Sequence, residues 1–259
     1  MLRFFNAPHK DKNEIGLPSQ EHGYEPIGNH AGLLDSTKDG YEIFKVSRDE
    51  ISKTSPNLPF IVNNKGDIET LLSFIAGSNI ITKTILSCLS TALGLTGAAR
   101  LEYSHRNEHK SNSSLAMFRY IPGSLTTSKE IGHQKHTDIG SLTLLFSEQW
   151  GLQVLPPQSS TWAFVEPRPG HAVINVGDSL RFASEHMLYS CVHRVVPFNT
   201  ADDRYSIAYF LRPENDAKFL DSQGRWVTAS QWHDEKYDVF KVSHGQHSPA
   251  DAILLGGMA

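Results

Sequence analysis

Cysteine is nearly absent: Cys88 and Cys191 are the only two in 259 residues. Two thiols cannot make the disulfide framework of a small secreted domain, and their scarcity suits a reducing compartment. Positive charge is also in short supply. Lys and Arg total 24 against 28 Asp and Glu, for a formal net charge of −4, and the pI is near 6.3. The basic residues are scattered, so nothing offers the field that a phosphate backbone attracts. No run of consecutive apolar residues approaches the ~18 to 20 of a membrane span, and Met1-Leu2-Arg3-Phe4-Phe5 turns polar too soon for a signal peptide. Internal repeats and low-complexity tracts are missing as well. The expectation is a cytoplasmic protein with a small molecule as partner, not nucleic acid or membrane, and long enough to bury one core.

What is present changes texture along the chain. Residues 1–60 are polar and rich in Gly and Pro, apart from Tyr41-Glu42-Ile43-Phe44-Lys45-Val46, which reads as a strand. From Asp67, a residue type that caps helices, apolar side chains recur at Ile68, Leu71, Leu72 and Ile75, then at Ile81, Ile85, Leu86, Leu89 and Leu93 before Gly94. That is helical spacing with a glycine stop. A polar connection over 96–114 follows. Eight short apolar runs separated by turn residues come next: Leu115–Ile121, Ser141–Phe146, Gly151–Leu155, Trp162–Val165, Ala172–Val176, Leu180–Ala183, Leu188–Val195 and Arg204–Leu211. Short strands at this spacing predict a two-sheet jelly roll or barrel. Beyond Pro213 a turn at Gln223-Gly224, a helix near Ala229–Phe240 and a frayed end are expected. The fold class is therefore mainly β with flanking helices. The expected division is an N-terminal flanking region of loops and helices (1–114), a core (115–213) and a C-terminal extension (214–259), all in one structural domain.

The chemistry concentrates in three places: His136-Thr137-Asp138, His193, and Arg204-Tyr205-Ser206. Residues i and i+2 of a strand share a face, so His136 and Asp138 can converge on one ion, with His193 supplying a third ligand from a distant strand. Two histidines and one carboxylate with an open half-sphere are the ligand set of mononuclear non-haem iron(II) oxygenases. His193 and Arg204 are expected on consecutive antiparallel strands joined by Asn199-Thr200-Ala201-Asp202-Asp203, which returns Arg204 toward the metal. Arg204, Ser206, Ala208 and Phe210 share one face. An inward arginine and serine beside Ala and Phe need an anion, because unpaired buried charge costs several kcal/mol. A dicarboxylate supplies it: the guanidinium fork takes one carboxylate bidentately and the serine hydroxyl adds a donor. An α-keto acid at its other end can chelate iron, and that molecule is 2-oxoglutarate.

These residues, with Gly151-Leu152-Gln153-Val154 and Val173-Ile174-Asn175-Val176-Gly177-Asp178, give the chain its family likeness. In order and spacing over about 115–213 the sequence resembles the isopenicillin N synthase-like branch of the 2-oxoglutarate/Fe(II) oxygenases. The resemblance implies a double-stranded β-helix core, iron(II) on His136, Asp138 and His193, and Arg204 and Ser206 on the distal carboxylate of 2-oxoglutarate. Tyr120, ahead of Ile121-Pro122, matches the tyrosine that completes that pocket. It also implies use of O2, with ascorbate as a reductant, and C–H oxidation of a small molecule (hydroxylation, desaturation or cyclisation) in secondary metabolism. Two departures stand out. Many relatives carry Asn where this chain has Phe118, which places Phe118 with Phe210 as candidate walls of the substrate pocket. Relatives also carry several dozen residues ahead of the region that Phe4-Phe5-Asn6-Ala7-Pro8 resembles. A chain short at that end is expected to expose an apolar face or bury it in a dimer.

Simpler readings stand beside these. His133 reaches a metal with His136 only if the segment is helical, which the neighbouring Thr, Gly and Ser disfavour. His171, His186, His233, His244 and His247 read as solvated or structural, Cys191 as a packing residue in phase with His193, and Trp150, Trp162, Trp226 and Trp232 as core or loop packing. Phe210 is either core or pocket wall. Two rival functions remain: an Fe(II) oxidase of the isopenicillin N synthase type that does without 2-oxoglutarate, and a non-catalytic jelly-roll binding protein.

Overall fold

The computed structural model describes residues 1–30, 38–121, 132–196, 202–241 and 249–257. Twelve strands are seen among them: β1 Gly23–Glu25, β2 Tyr41–Ser47, β3 Ser114–Tyr120, β4 His133–His136, β5 Leu142–Phe146, β6 Leu152–Leu155, β7 Ala163–Phe164, β8 Val173–Val176, β9 Val192–Val195, β10 Arg204–Leu211, β11 Lys218–Leu220 and β12 Trp226–Thr228. A six-stranded sheet in the order β1-β2-β3-β10-β5-β8 and a four-stranded sheet β4-β9-β6-β7 form the roll, with β11-β12 a separate hairpin. All pairings are antiparallel. The fold is the jelly roll that the strand spacing predicts.

Period-two alternation decides which side chain meets what. On β3, Leu115 and Met117 join the outer core, whereas Ala116, Phe118 and Tyr120 turn into the roll. On β10, Tyr209 and Leu211 point outward, while Ala208 and Phe210 pack with the inner set. The helices are α1 Leu2–Phe5, α2 His9–Lys12, α3 Arg48–Ile51, α4 Lys65–Ala92, α5 Asp178–Ala183, α6 Ala229–Lys241 and α7 Pro249–Leu254. The long α4 covers the outer face of the six-stranded sheet: Ile75 and Leu86 are in the outer core, and Asn79 Nδ2 donates to the Tyr209 hydroxyl at 3.0 Å. At 28 residues, with a mean hydropathy of 1.4 over its most apolar stretch, α4 is long and apolar enough to cross a bilayer by length and composition. Its far side leaves Ile80 at 66% and Ile81 at 48% exposure.

Several local expectations are corrected. Asn64, not Asp67, caps α4; its side chain accepts from the Asp67 N–H at 3.1 Å. The polar connection over 96–114 holds two tight helical turns, Gly97–Ala99 and Leu101–Ser104. Leu180–Ala183 is helix within α5, which starts at Asp178 with only Gly177 between it and the end of β8. The run from Leu188 becomes strand only at Val192. β9 and β10 lie in different sheets, so His193 and Arg204 face each other across the interior, not along a hairpin; residues 199–201 of their connection lie outside the described residues, as do His244 and His247. The expected frayed end carries α7, whose Leu254 is buried and accepts the Thr137 N–H at 3.0 Å.

Candidate active site

His136 ends β4 directly opposite His193 on β9, which sets the two imidazoles side by side with ring centroids 4.3 Å apart. Asp138 reaches them from beyond the strand. β4 stops at His136, so strand alternation is not what aims the carboxylate; the loop does, pinned where the Asp178 N–H donates to the Asp138 carbonyl at 2.7 Å. Asp138 Oδ1 lies 3.6 Å from each histidine Nε2, and the three ligand atoms fall within 4.8 Å of one another.

The donor set fits a divalent metal. His136 Nδ1 and His193 Nδ1 sit 2.7 and 3.0 Å from the carbonyls of Gln134 and Cys191. Each carbonyl fixes the ring proton on Nδ1 and leaves the Nε2 lone pair facing inward. Burial and neighbouring His136 depress the pKa of His193, favouring neutral imidazole. Burial pushes Asp138 upward, but His193, His136 and the hydrogen bond from Asn175 outweigh it and keep the carboxylate ionised. Its Oδ2 accepts from Thr143 Oγ1 at 2.6 Å and Asn175 Nδ2 at 2.7 Å, so Oδ1 stays free. Thr143 and Asn175 were not singled out in the sequence, although a polar residue at an inward position of valine-rich β8 was a usable signal.

A buried ion pair braces the same loop. Lys236 of α6 and Asp178 of α5 are both 0% exposed and paired, and Lys236 Nζ also donates to Thr137 Oγ1 at 2.6 Å. His133 is half-buried, stacked on His136 at 4.3 Å, and stands outside the three-ligand cluster. His233 is buried against Glu21, a structural role. A second surface cluster, His109, Glu214 and Asp216, has its Glu214 already forked by Arg106 at 2.7 and 2.5 Å. Both cysteines are free, and Cys191 lines the cavity.

The cavity beside the three ligands also takes in Arg204, Ser206, Tyr120, Phe118 and Phe210. Arg204 faces Tyr120 across the β10-β3 ladder and Ser206 faces Phe118, so all four enter the roll from adjacent positions. Arg204 is 7% exposed. Its Nε donates to the Trp150 carbonyl at 3.0 Å and its Nη2 to Ser147 Oγ at 3.1 Å, and its guanidinium lies 4.9 Å from the centre of the Tyr120 ring. Nη1 is buried with no hydrogen-bond partner among the described residues. Burial lowers the Arg204 pKa, with little nearby negative charge to offset it. A carboxylate placed there would relieve both deficits. Gly151 makes room: at φ +130, a Cβ on it would meet the Val196 carbonyl at 2.8 Å and Arg204 Nε at 3.1 Å.

Two sheets rolled around a pair of histidines and a carboxylate, with an unsatisfied arginine farther in, define an iron oxygenase that takes a keto acid. Comparison with known proteins agrees. The model of the 2OG-Fe(II) oxygenase superfamily matches residues 112–213. The oxidoreductase vrtI of Penicillium aethiopicum is 46% identical over 100% of this chain, which spans 62% of that relative's length. The 2-oxoglutarate-dependent dioxygenase gloE of Glarea lozoyensis is 44% identical over 99% of this chain and 77% of its own. In fold, the crystal structure of a full-length Neurospora crassa protein in complex with alpha-KG and thymine matches with a TM-score of 0.71 at 23% identity, covering 92% of this chain and 80% of that one. The chain belongs to the 2-oxoglutarate/Fe(II) oxygenase superfamily, whose cofactors are iron(II) and 2-oxoglutarate.

Proposed function

We propose that this protein oxidises an unactivated C–H bond of a small molecule in secondary metabolism, holding iron(II) on His136, Asp138 and His193 and 2-oxoglutarate on Arg204, Ser206 and Tyr120. The observation that carries this reading is the pairing of three converging ligand atoms with a buried, partnerless Arg204 Nη1 in one cavity. When bound, iron with 2-oxoglutarate and O2 supplies the oxidising power. The protein's own groups position and shield. The Gln134 and Cys191 carbonyls fix the imidazole tautomers, and Thr143 and Asn175 orient Asp138. Arg204 fixes the far end of the cosubstrate by charge and plane, with the Ser206 hydroxyl as a further donor.

Phe118 and Phe210 border both this cavity and a second one that also reaches His136 and Asp138. They serve as walls between cosubstrate and substrate, each contributing ring surface. The test is oxygen uptake and succinate formation with and without 2-oxoglutarate. Uptake that requires 2-oxoglutarate and yields succinate supports the reading. Uptake without succinate turns it toward the four-electron oxidase.

A further inference from the structure

Past the metal-binding atoms the interior opens into a second lobe, bordered by Glu21, Glu25, Lys45, Arg212, Tyr237 and Phe240 and reaching His136 and Asp138. Its cavity volume is about 90 Å³, several times what one water needs. Arg204, Ser206 and Tyr120 do not line it, so the two lobes differ in chemistry and meet at the metal-binding atoms. Phe240 stands edge-on to His136, with ring centroids 5.3 Å apart.

The lobe buries charge of both signs, and the two signs are not equally satisfied. Glu25 accepts from Asn29 at 2.6 Å, His30 at 2.5 Å and Tyr237 at 2.8 Å, and pairs with Lys45. Glu21 accepts from His233 and Ser114, each at 2.5 Å, and from Arg212. Both carboxylates are thus saturated by the protein. The cations are not. Arg212, 8% exposed, spends Nη1 on Glu21, the Asn112 carbonyl and Ser114, while its Nε is buried without a partner among the described residues. Its Nη2 makes no hydrogen bond to them either, so the Nε–Nη2 edge, a ready two-pronged fork, is free. Lys45 Nζ donates to the Tyr237 hydroxyl at 2.9 Å and pairs with Glu25, which leaves one N–H without a partner among the described residues. Spare donors beside saturated acids select an acceptor, since a buried donor left unmet costs more than a met one gains. On Glu21 and Glu25 an ammonium would meet carboxylates already taken by the protein's own donors.

We propose that this second lobe holds the primary substrate and that the substrate is a small organic acid, its carboxylate received by the free edge of Arg212 beside Lys45 and its body lying between Phe118 and Phe240. The inference rests on the cosubstrate assignment above, and its test separates the two. Protein loaded with Zn(II), which does not turn over, is first titrated with 2-oxoglutarate by calorimetry and then, at saturation, with matched probes: benzoate and benzamide, phenylacetate and phenylacetamide, hexanoate, hexanamide and hexylamine. The expected result is at least tenfold tighter binding of the acid than of its amide in at least one pair, and no preference for the amine. Arg212→Lys, which keeps the charge opposite Glu21, should abolish that preference at unchanged 2-oxoglutarate affinity, and Arg212→Gln should do the same if it folds. Arg204→Lys should do the reverse. Acids binding no tighter than amides in every pair, including no binding by either, overturns the proposal, as does a preference that survives Arg212→Lys. Failure of 2-oxoglutarate to bind in the first titration strikes the cosubstrate assignment instead.

Discussion

Replacing Arg204 by Lys removes a plane and keeps a charge, which makes it the sharpest probe of the cosubstrate pocket. The guanidinium is anchored by Nε on the Trp150 carbonyl and Nη2 on Ser147, and lies over the Tyr120 ring. Those contacts hold Nη1, the donor with no partner among the described residues, in a fixed direction. An ammonium has no plane to anchor twice and none to stack, and it is more strongly hydrated. One charge-assisted hydrogen bond is worth about 1.5 to 3 kcal/mol, so the expected loss is roughly tenfold to a hundredfold in apparent affinity for 2-oxoglutarate. Ser206→Ala removes a hydroxyl donor and should cost less, roughly twofold to tenfold. Succinate formed as a function of 2-oxoglutarate concentration measures both, with metal content as the control, since neither residue is in the three-ligand cluster. An unchanged half-saturating concentration in a folded, metal-replete Arg204→Lys protein would refute the reasoning.

Further outcomes follow from the same geometry. Asp138→Ala removes the charged ligand; metal analysis should find the ion lost and turnover abolished, and stoichiometric metal in that variant would remove the assignment. Gly151→Ala must place a Cβ 2.8 Å from the Val196 carbonyl at φ +130. We expect about 1 to 3 kcal/mol of strain and weaker 2-oxoglutarate binding as Arg204 is pushed aside, read by thermal unfolding and the succinate assay together. Lys236→Met strands a fully buried Asp178 and should destabilise by about 3 to 5 kcal/mol in denaturant unfolding, with Lys236→Met/Asp178→Leu recovering much of it. Glu21 falls from its ordinary 4.5 to about 2, because Arg212 and His233 outweigh its burial. A depressed carboxylate stabilises fully above its unfolded pKa and loses that contribution as pH falls toward the folded one. Stability should therefore drop between about pH 5 and pH 2 by about 3 kcal/mol through this group, and Glu21→Gln should flatten that part of the profile.

The local pattern of the sequence was enough for the jelly-roll class and for naming residues that the structure brings into one cavity. Many short alternating runs between turns, with no helical pattern among them to cover the inner faces, bury those faces by closing sheet on sheet, as the roll does. The same alternation put Arg204, Ser206, Ala208 and Phe210 on one side of β10, and the structure has all four lining one cavity. Alternation could not say which strands become neighbours. It suggested a hairpin between His193 and Arg204, but those strands sit in opposite sheets, because pairing is settled by long-range closure that no local spacing encodes. The aim of Asp138 is likewise tertiary: it lies past the end of β4 and is fixed by Asp178, Thr143 and Asn175 from other segments. The second lobe was invisible in the sequence for the same reason. Glu21, Glu25, Lys45, Arg212 and Tyr237 come from four separate stretches of chain, each unremarkable alone. Their meaning lies in which donors remain unmet once all are buried together, a property that only the folded chain possesses.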